Sequence, residues 1–209
     1  MLWGKREQYY LWITAYIPLF LIMVYRFIDS LNLFGNLKNI INFLTKPILE
    51  LIVVLSIVML SYWMYKIMIN WLLKAEINNL ENGIGEKFAI RNIKKLSPND
   101  YTFFLFTLLL PLFSLDYGSF LNLLISLLII GLVIIIYVKT DFISICPLFF
   151  TTGYHVYRAI ISQYPKEKER EDPSVRIEAI IISKKKYLDL DDNYRAVQLV
   201  SNIYLIVKV

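Results

Sequence analysis

Four long apolar runs fill most of the first two thirds of the chain, and they are unbroken where a soluble helix or strand would alternate. Runs of this kind predict membrane spans rather than the buried face of an amphipathic element. The first run extends from Tyr9 to Ile28 and is interrupted only by Arg26, whose long stem lets its guanidinium reach the headgroups. The second extends from Ile48 to Leu72, with no charge between Leu51 and Tyr65. Both are near the roughly 20 residues that cross a bilayer core as a helix. The third, Tyr101 to Leu115, is short and contains Pro111; the fourth, Tyr117 to Val138, carries no charge. Only Asp116 separates them, with Gly118 and Ser119 just beyond, which predicts a tight helical hairpin. The competing reading makes Tyr101–Val138 one kinked unit that does not cross twice.

The pattern changes after Lys139. The segment from Phe142 to about Thr152 is apolar but too short to cross and is interrupted by Pro147, so it is expected at the interface or under the bundle. Residues Tyr154–Ile161, Val175–Ser183, Tyr194–Val200 and Ile203–Val209 are rich in β-branched and aromatic types and predict strands. Ser201-Asn202 resembles a hairpin turn between the last two. Between the first two lies a Pro-flanked run of alternating charges, Tyr164–Pro173, expected to be a flexible connection rather than a helix of any importance. The loop Lys74–Asn99, with a turn signal at Gly83-Ile84-Gly85, is expected to be solvated and partly helical, with a partner-docking surface as the alternative. The predicted fold class is therefore membrane all-α with about four transmembrane helices, followed by a small antiparallel β C-terminal cytoplasmic domain. Residues 1–139 would form the first part and 140–209 the second. So few residues make a marginal core, so the sheet must lean on the bundle, a second copy, or another protein.

Composition agrees with this division: 57% of the residues are hydrophobic and 19% charged, against about 25% charged in a typical soluble domain. The N-terminal run lacks a small-residue cleavage site and contains Trp12, Tyr16 and Pro18, so it predicts a span or signal anchor rather than a cleaved leader. Basic residues cluster at the N-terminus (Lys5, Arg6), in the second loop (Lys74, Lys87, Arg91, Lys94, Lys95) and after Lys139, whereas the hairpin between spans three and four has none. The first loop carries Lys38 and Lys46. The positive-inside rule then places both termini in the cytoplasm. Trp3, Tyr9, Tyr10 and Trp12, with Trp63, Tyr65 and Trp71, fit interfacial belts; packing between helices explains each one equally well taken singly.

Chemistry is sparse. The centres of the spans hold no ionisable group, only Thr14, Ser56, Ser61, Thr107, Asn122 and Ser126, which are expected to bond within or between helices. One Cys (Cys146) and one His (His155) leave no Cys- or His-rich metal site, and no disulfide framework, catalytic motif or cofactor is expected. Asp189-Leu190-Asp191-Asp192-Asn193 imitates the opening of a calcium loop but has Tyr194 where glycine is needed and Val200 where the closing Glu belongs. It is expected to be a turn. His155 is the natural pH-responsive group, with ordinary packing the favoured reading. Lys184, Lys185 and Lys186 would attract anionic lipid if they do more than solvate a strand end; with no basic–aromatic stripe, direct nucleic-acid binding is not expected. Candidate partner or lipid contacts are Tyr154, Tyr157, Arg158, Lys184, Lys185, Lys186 and Tyr204.

The strings CPLFFTTGYHVYRA (Cys146–Ala159), AIIISKKK (Ala179–Lys186) and NIYLIV (Asn202–Val207), following four spans, resemble the membrane subunit of the Kiwa anti-phage defence system, the KwaA-like family. The resemblance implies a membrane-embedded homo-oligomer, a tetramer among the states it admits, that senses phage infection at the inner membrane. It also implies a cytosolic DNA-binding effector protein held nearby, with no enzymatic activity in the chain itself. A pore-forming or membrane-depolarising effector is the alternative function, and a small-solute transporter is third, disfavoured by the charge-free spans.

Overall fold

The protein is described by a computed structural model covering residues 3–31, 46–113 and 119–208. Four helices form a bundle: α1 (Lys5–Ser30), α2 (Lys46–Glu81), α3 (Pro98–Phe113) and α4 (Phe120–Lys139). Among the described residues, α1, α2 and α4 are long and apolar enough to cross a membrane. At 1.5 Å per residue the 16 residues of α3 give only ~24 Å, short of the ~30 Å of hydrocarbon. The predicted turn at Asp116 and Gly118 lies outside the described residues, as does Lys38 of the first loop.

Helix α2 has 36 residues and continues well past the predicted end at Leu72. Leu73, Ile77 and Leu80 fall on one stripe at helical spacing and are buried or partly buried, so apolar packing carries the helix on where a loop was expected. Gly83, Ile84 and Gly85 then make the predicted turn, with both glycines at positive φ (82° and 133°).

The β part is a closed five-stranded barrel, not an antiparallel sheet of C-terminal strands alone. Its strands are β1 (Glu86–Lys95), β2 (His155–Ser162), β3 (Ile177–Ser183), β4 (Asn193–Val200) and β5 (Ile203–Lys208), in the order β1-β2-β3-β5-β4 and back to β1. All neighbours are antiparallel except β3 and β5, which run parallel. This order and these directions are those of the Greek-key barrel of the OB type. The expectation for residues 86–95 is thus corrected: the stretch expected as a solvated, partly helical loop is the strand that closes the barrel. Phe88 and Ile90 point inward and are almost fully buried, which supplies the apolar anchor that its charged neighbours mask.

Inward-facing Phe88, Ile90, Tyr157, Ala159, Ile161, Ala179, Ile181, Tyr194, Ala196, Tyr204 and Ile206 fill the barrel. Alternate residues of the same strands (Val156, Ile182, Ile203 and Leu205) belong instead to the core of the helical bundle, with Trp12, Leu73, Tyr137 and Phe149. This explains why β3 ends apolar on both faces: Ile181 faces the barrel interior while Ile182 faces the helices. Of the three supports open to the small sheet, the structure supplies the bundle. Cys146, Leu148 and Phe149, from the segment around the short helix α5 (Pro147–Thr151), are wholly buried between the two parts.

The predicted aromatic belt divides. Trp3, Trp12 and Tyr65 are buried, Trp12 stacking on Tyr137 at 4.2 Å, whereas Tyr10, Trp63 and Trp71 are exposed on the outside of the bundle. The hydroxyls of Thr14, Ser56 and Ser61 donate to carbonyls one turn back in their own helices. Thr107 links helices, lying 3.0 Å from the Tyr16 hydroxyl and 3.1 Å from that of Tyr137.

Candidate docking face of the barrel

The barrel pairs β1 directly with β2 although α3, α4 and α5 lie between them in the chain. Its ladder sets two rows of side chains across the outward surface. In one, Lys94 of β1 lies opposite Arg158 of β2, which lies opposite Ile180 of β3; in the other, Asn92, Ile160 and Glu178 follow in the same order. These residues, with Asn202 and the short Ala159–Ala179 pair at the floor, line an open groove of about 520 Å³.

Two cations directly opposite each other across a ladder repel. One of them, Arg158, is paired at 2.7 Å with Asp100 in the first turn of α3. Among the described residues Lys94 makes no ion pair. The groove therefore offers one unpaired cation, Lys94, one carboxylate, Glu178, two amides and two isoleucines, a mixed polar and apolar surface that an extended protein segment can occupy. It contains no aromatic side chain, so it lacks the platform on which bases stack.

The end of the barrel beside this face is closed by an ion-pair network. Ile90 and Asn92 flank a register shift in β1, and Arg91 sits at that irregularity. Its Nε donates to Glu169 at 2.7 Å, one Nη to Asp191 at 2.8 Å and the other to the Tyr164 carbonyl at 2.7 Å. Glu169 belongs to a one-turn helix, α6 (Lys166–Glu171), which corrects the expectation that this charged run is merely a flexible connection. Its side chain is only 2% exposed and also accepts from Arg176 at 3.3 Å. Burial alone would raise the Glu169 carboxyl, but hydrogen bonds from Arg91, Ser162 and Arg176 outweigh it and hold the group below its ordinary range.

The acidic turn beside it is used in pairing as well. Asp191, at φ 64°, meets Arg91 and Lys166, while Asp189 and Asp192 both meet Lys208. These pairs hold the Asp191 and Asp189 carboxyls low, Lys166 acting first on the one and Lys208 on the other.

The predicted contact residues separate into two sets. Tyr154, Tyr157 and Tyr204 are buried, at 2%, 5% and 8% exposure, and their rings do not present themselves to a partner. Tyr154 packs on Phe149 at the bundle junction, and Tyr204 meets Phe88 inside the barrel. Tyr157 also faces the interior and donates its hydroxyl to the Lys186 carbonyl at 2.5 Å, pinning the loop that follows β3. Their aromatic character marks core positions, and strand alternation alone did not say which face was inside. Arg158, Lys184, Lys185 and Lys186 are exposed, and only Arg158 lies in the groove. Asn92, Lys94 and Glu178 were missed, because the loop reading hid the strand that brings the first two beside β2. A usable signal was present in Phe88-Ala89-Ile90 and Ile93 directly after a glycine turn.

A family model described as anti-phage protein KwaA matches residues 7–205. No curated protein and no solved structure matches the chain.

Proposed function

The chain belongs to the KwaA family of anti-phage proteins, and from that premise we propose that it is a non-enzymatic sensor and anchor in the bacterial inner membrane. In this reading the helices cross the bilayer and the barrel lies on the cytoplasmic side, where its groove docks an extended segment of a soluble effector protein. The observation that carries it is the single core shared by bundle and barrel. Trp3 donates its backbone N–H to Leu199 of β4, and Lys5 pairs with Asp141 at 2.7 Å just beyond α4. Helix α2 runs straight into β1, and Asp100 at the start of α3 holds Arg158. The start of α1, the end of α2 and the start of α3 thus meet the barrel, and the end of α4 lies beside the start of α1. That alternation supports four crossings, with both termini on the barrel side, and the basic residues of those segments support the cytoplasm.

A barrel locked to the helices transmits a displacement in the membrane instead of absorbing it in a linker, as a sensor requires. Helix α2 exposes Leu51, Leu55, Val58, Met59, Tyr62 and Trp63, a surface for lipid or for a second copy, which supports a homo-oligomer.

The test is purification of the full chain in mild detergent, with capture of its cytosolic partner from cells expressing both. A homo-oligomer that retains the partner, and a Lys94→Glu/Arg158→Glu variant that remains folded and releases it, are expected. A monomer that captures nothing would remove the reading. Ion leak from liposomes carrying the chain alone would favour a pore-forming effector.

A further inference from the structure

A second pocket lies where the barrel meets the helices, distinct from the docking groove. It holds about 210 Å³ and is lined by Lys95, Leu96, Tyr101, Phe150, His155, Val156, Tyr157 and Lys186. Lys95 is the last residue of β1, and Tyr101 is in the first turn of α3, so the pocket sits where the chain leaves the barrel for an apolar helix. No carboxylate lines it, and among the described residues neither Lys95 nor Lys186 makes an ion pair. Asp100, the residue before Tyr101, is committed to Arg158 and to the Ser97 backbone N–H.

Three features point to an anionic, amphiphilic ligand. Lys186 is held at the rim because its carbonyl accepts from Tyr157. Tyr101 stands edge-on to Phe150 at 4.9 Å, an apolar pair beside the cations, and Phe150 is 41% exposed. The Tyr101 hydroxyl is buried with no hydrogen-bond partner among the described residues, whereas a buried tyrosine hydroxyl ordinarily finds one. A phosphate in the pocket supplies an acceptor for that hydroxyl and a charge for both lysines, while glycerol and the first acyl carbons lie against Tyr101 and Phe150.

We propose that this pocket binds the headgroup phosphate of an anionic phospholipid of the cytoplasmic leaflet, fastening the start of α3 to the membrane surface. The inference rests on the proposed membrane seating but not on partner docking, and the two are read separately. A short helix such as α3 is held at its depth by an interfacial anchor of this kind.

The experiment is native mass spectrometry of the full chain released from detergent in the presence of phosphatidylglycerol or phosphatidylcholine. Wild type should retain phosphatidylglycerol about thirtyfold more strongly, the preference that two lysines near a membrane surface supply. Lys95→Gln/Lys186→Gln should abolish that preference, while Lys184→Gln/Lys185→Gln, on the same loop but outside the pocket, should keep it. Tyr101→Phe leaves the fold intact and should weaken retention severalfold, so the proposal is tested even if the double variant misfolds. Equal retention of the two lipids by wild type would overturn it, as would a folded double variant that keeps the preference. Displacement of the lipid by millimolar inorganic phosphate would mark a free-phosphate site and overturn the lipid assignment. Effector capture by the Lys95→Gln/Lys186→Gln variant should be unchanged, which separates failure here from failure of the docking reading.

Discussion

Removing the guanidinium of Arg91 should open the barrel, and the defect should depend on pH with a sign opposite to that of ordinary acid unfolding. Arg91 is 14% exposed and Glu169 2%, so the pair is largely withdrawn from solvent. Stripping one partner from such a pair costs about 3–5 kcal/mol because the other charge stays buried. Arg176 and Ser162 remain on Glu169 in Arg91→Ala, which points to the lower end, about 3 kcal/mol, or roughly a hundredfold in the opening equilibrium. In the wild type the Glu169 carboxyl is depressed on folding. Its contribution is complete above the unfolded value of 4.5 and is lost as pH falls through the lower folded value. In Arg91→Ala burial prevails, the carboxyl is raised, and taking up a proton relieves the buried charge. The variant should therefore recover stability relative to wild type between pH 7 and pH 5.

Hydrogen exchange of peptides over β1, β2 and α6, corrected for the intrinsic rate at each pH, measures this directly. A change below about fivefold at neutral pH, or a defect of equal size at both pH values, would refute the reasoning. The pair-replaced variant Arg91→Met/Glu169→Leu should regain most of the loss, since apolar residues of similar volume often replace a buried ion pair without penalty.

Gly85 has φ 133° and a Cβ there would stand 3.0 Å from the Ala196 carbonyl and 3.1 Å from Leu80. Gly85→Ala should cost about 2 kcal/mol and loosen the β1–β4 edge in the same exchange measurement. Gly83→Asn should cost less than about 1 kcal/mol, because its nearest neighbour is the movable end of Arg195 and asparagine tolerates positive φ. Cys146 is fully buried, and burial pushes its thiol far above the usual range, so native protein should resist maleimide and react only on unfolding. Fast labelling of the folded chain would show that α5 is not packed between bundle and barrel.

The helices were legible because runs of twenty apolar residues have few alternatives, and β2 through β5 because β-branched residues cluster between turn signals. Two elements were hidden for one reason: their partners are distant in sequence. Glu86–Lys95 carries five charges in ten residues and resembles a solvated loop until Lys94 and Asn92 are set beside Arg158 and Ile160, more than sixty positions away. Lys166–Glu171 is entirely charged, and nothing local shows that Glu169 turns inward to an arginine 78 residues earlier. That the candidate tyrosines Tyr154, Tyr157 and Tyr204 are buried was hidden for a related reason. Period-two alternation says that Tyr157 and Arg158 face opposite ways, but the inner face is fixed only once the barrel closes.

Closure also bears on how a membrane event could reach the docking groove. An antiparallel sheet made only of the last 55 residues would hang from α4 by one connection and could turn freely beneath the bundle. In the closed barrel the hairpin α3–α4 joins β1 to β2, and the residues that flank it, Lys94 and Lys95 on one side and Tyr157 and Arg158 on the other, are cross-strand partners. Any tilt or withdrawal of the hairpin must therefore act on the strand pair whose outward rows form the groove. The α1 contact through Trp3 reaches β4, the other neighbour of β1, and the α2 contact reaches β4 and β5. Motion of α3–α4 against α1–α2 thus bears on β2 and β4, the two strands that flank β1. Packed interfaces of this kind shift between discrete arrangements and do not yield gradually, which is the property the proposed sensing role requires.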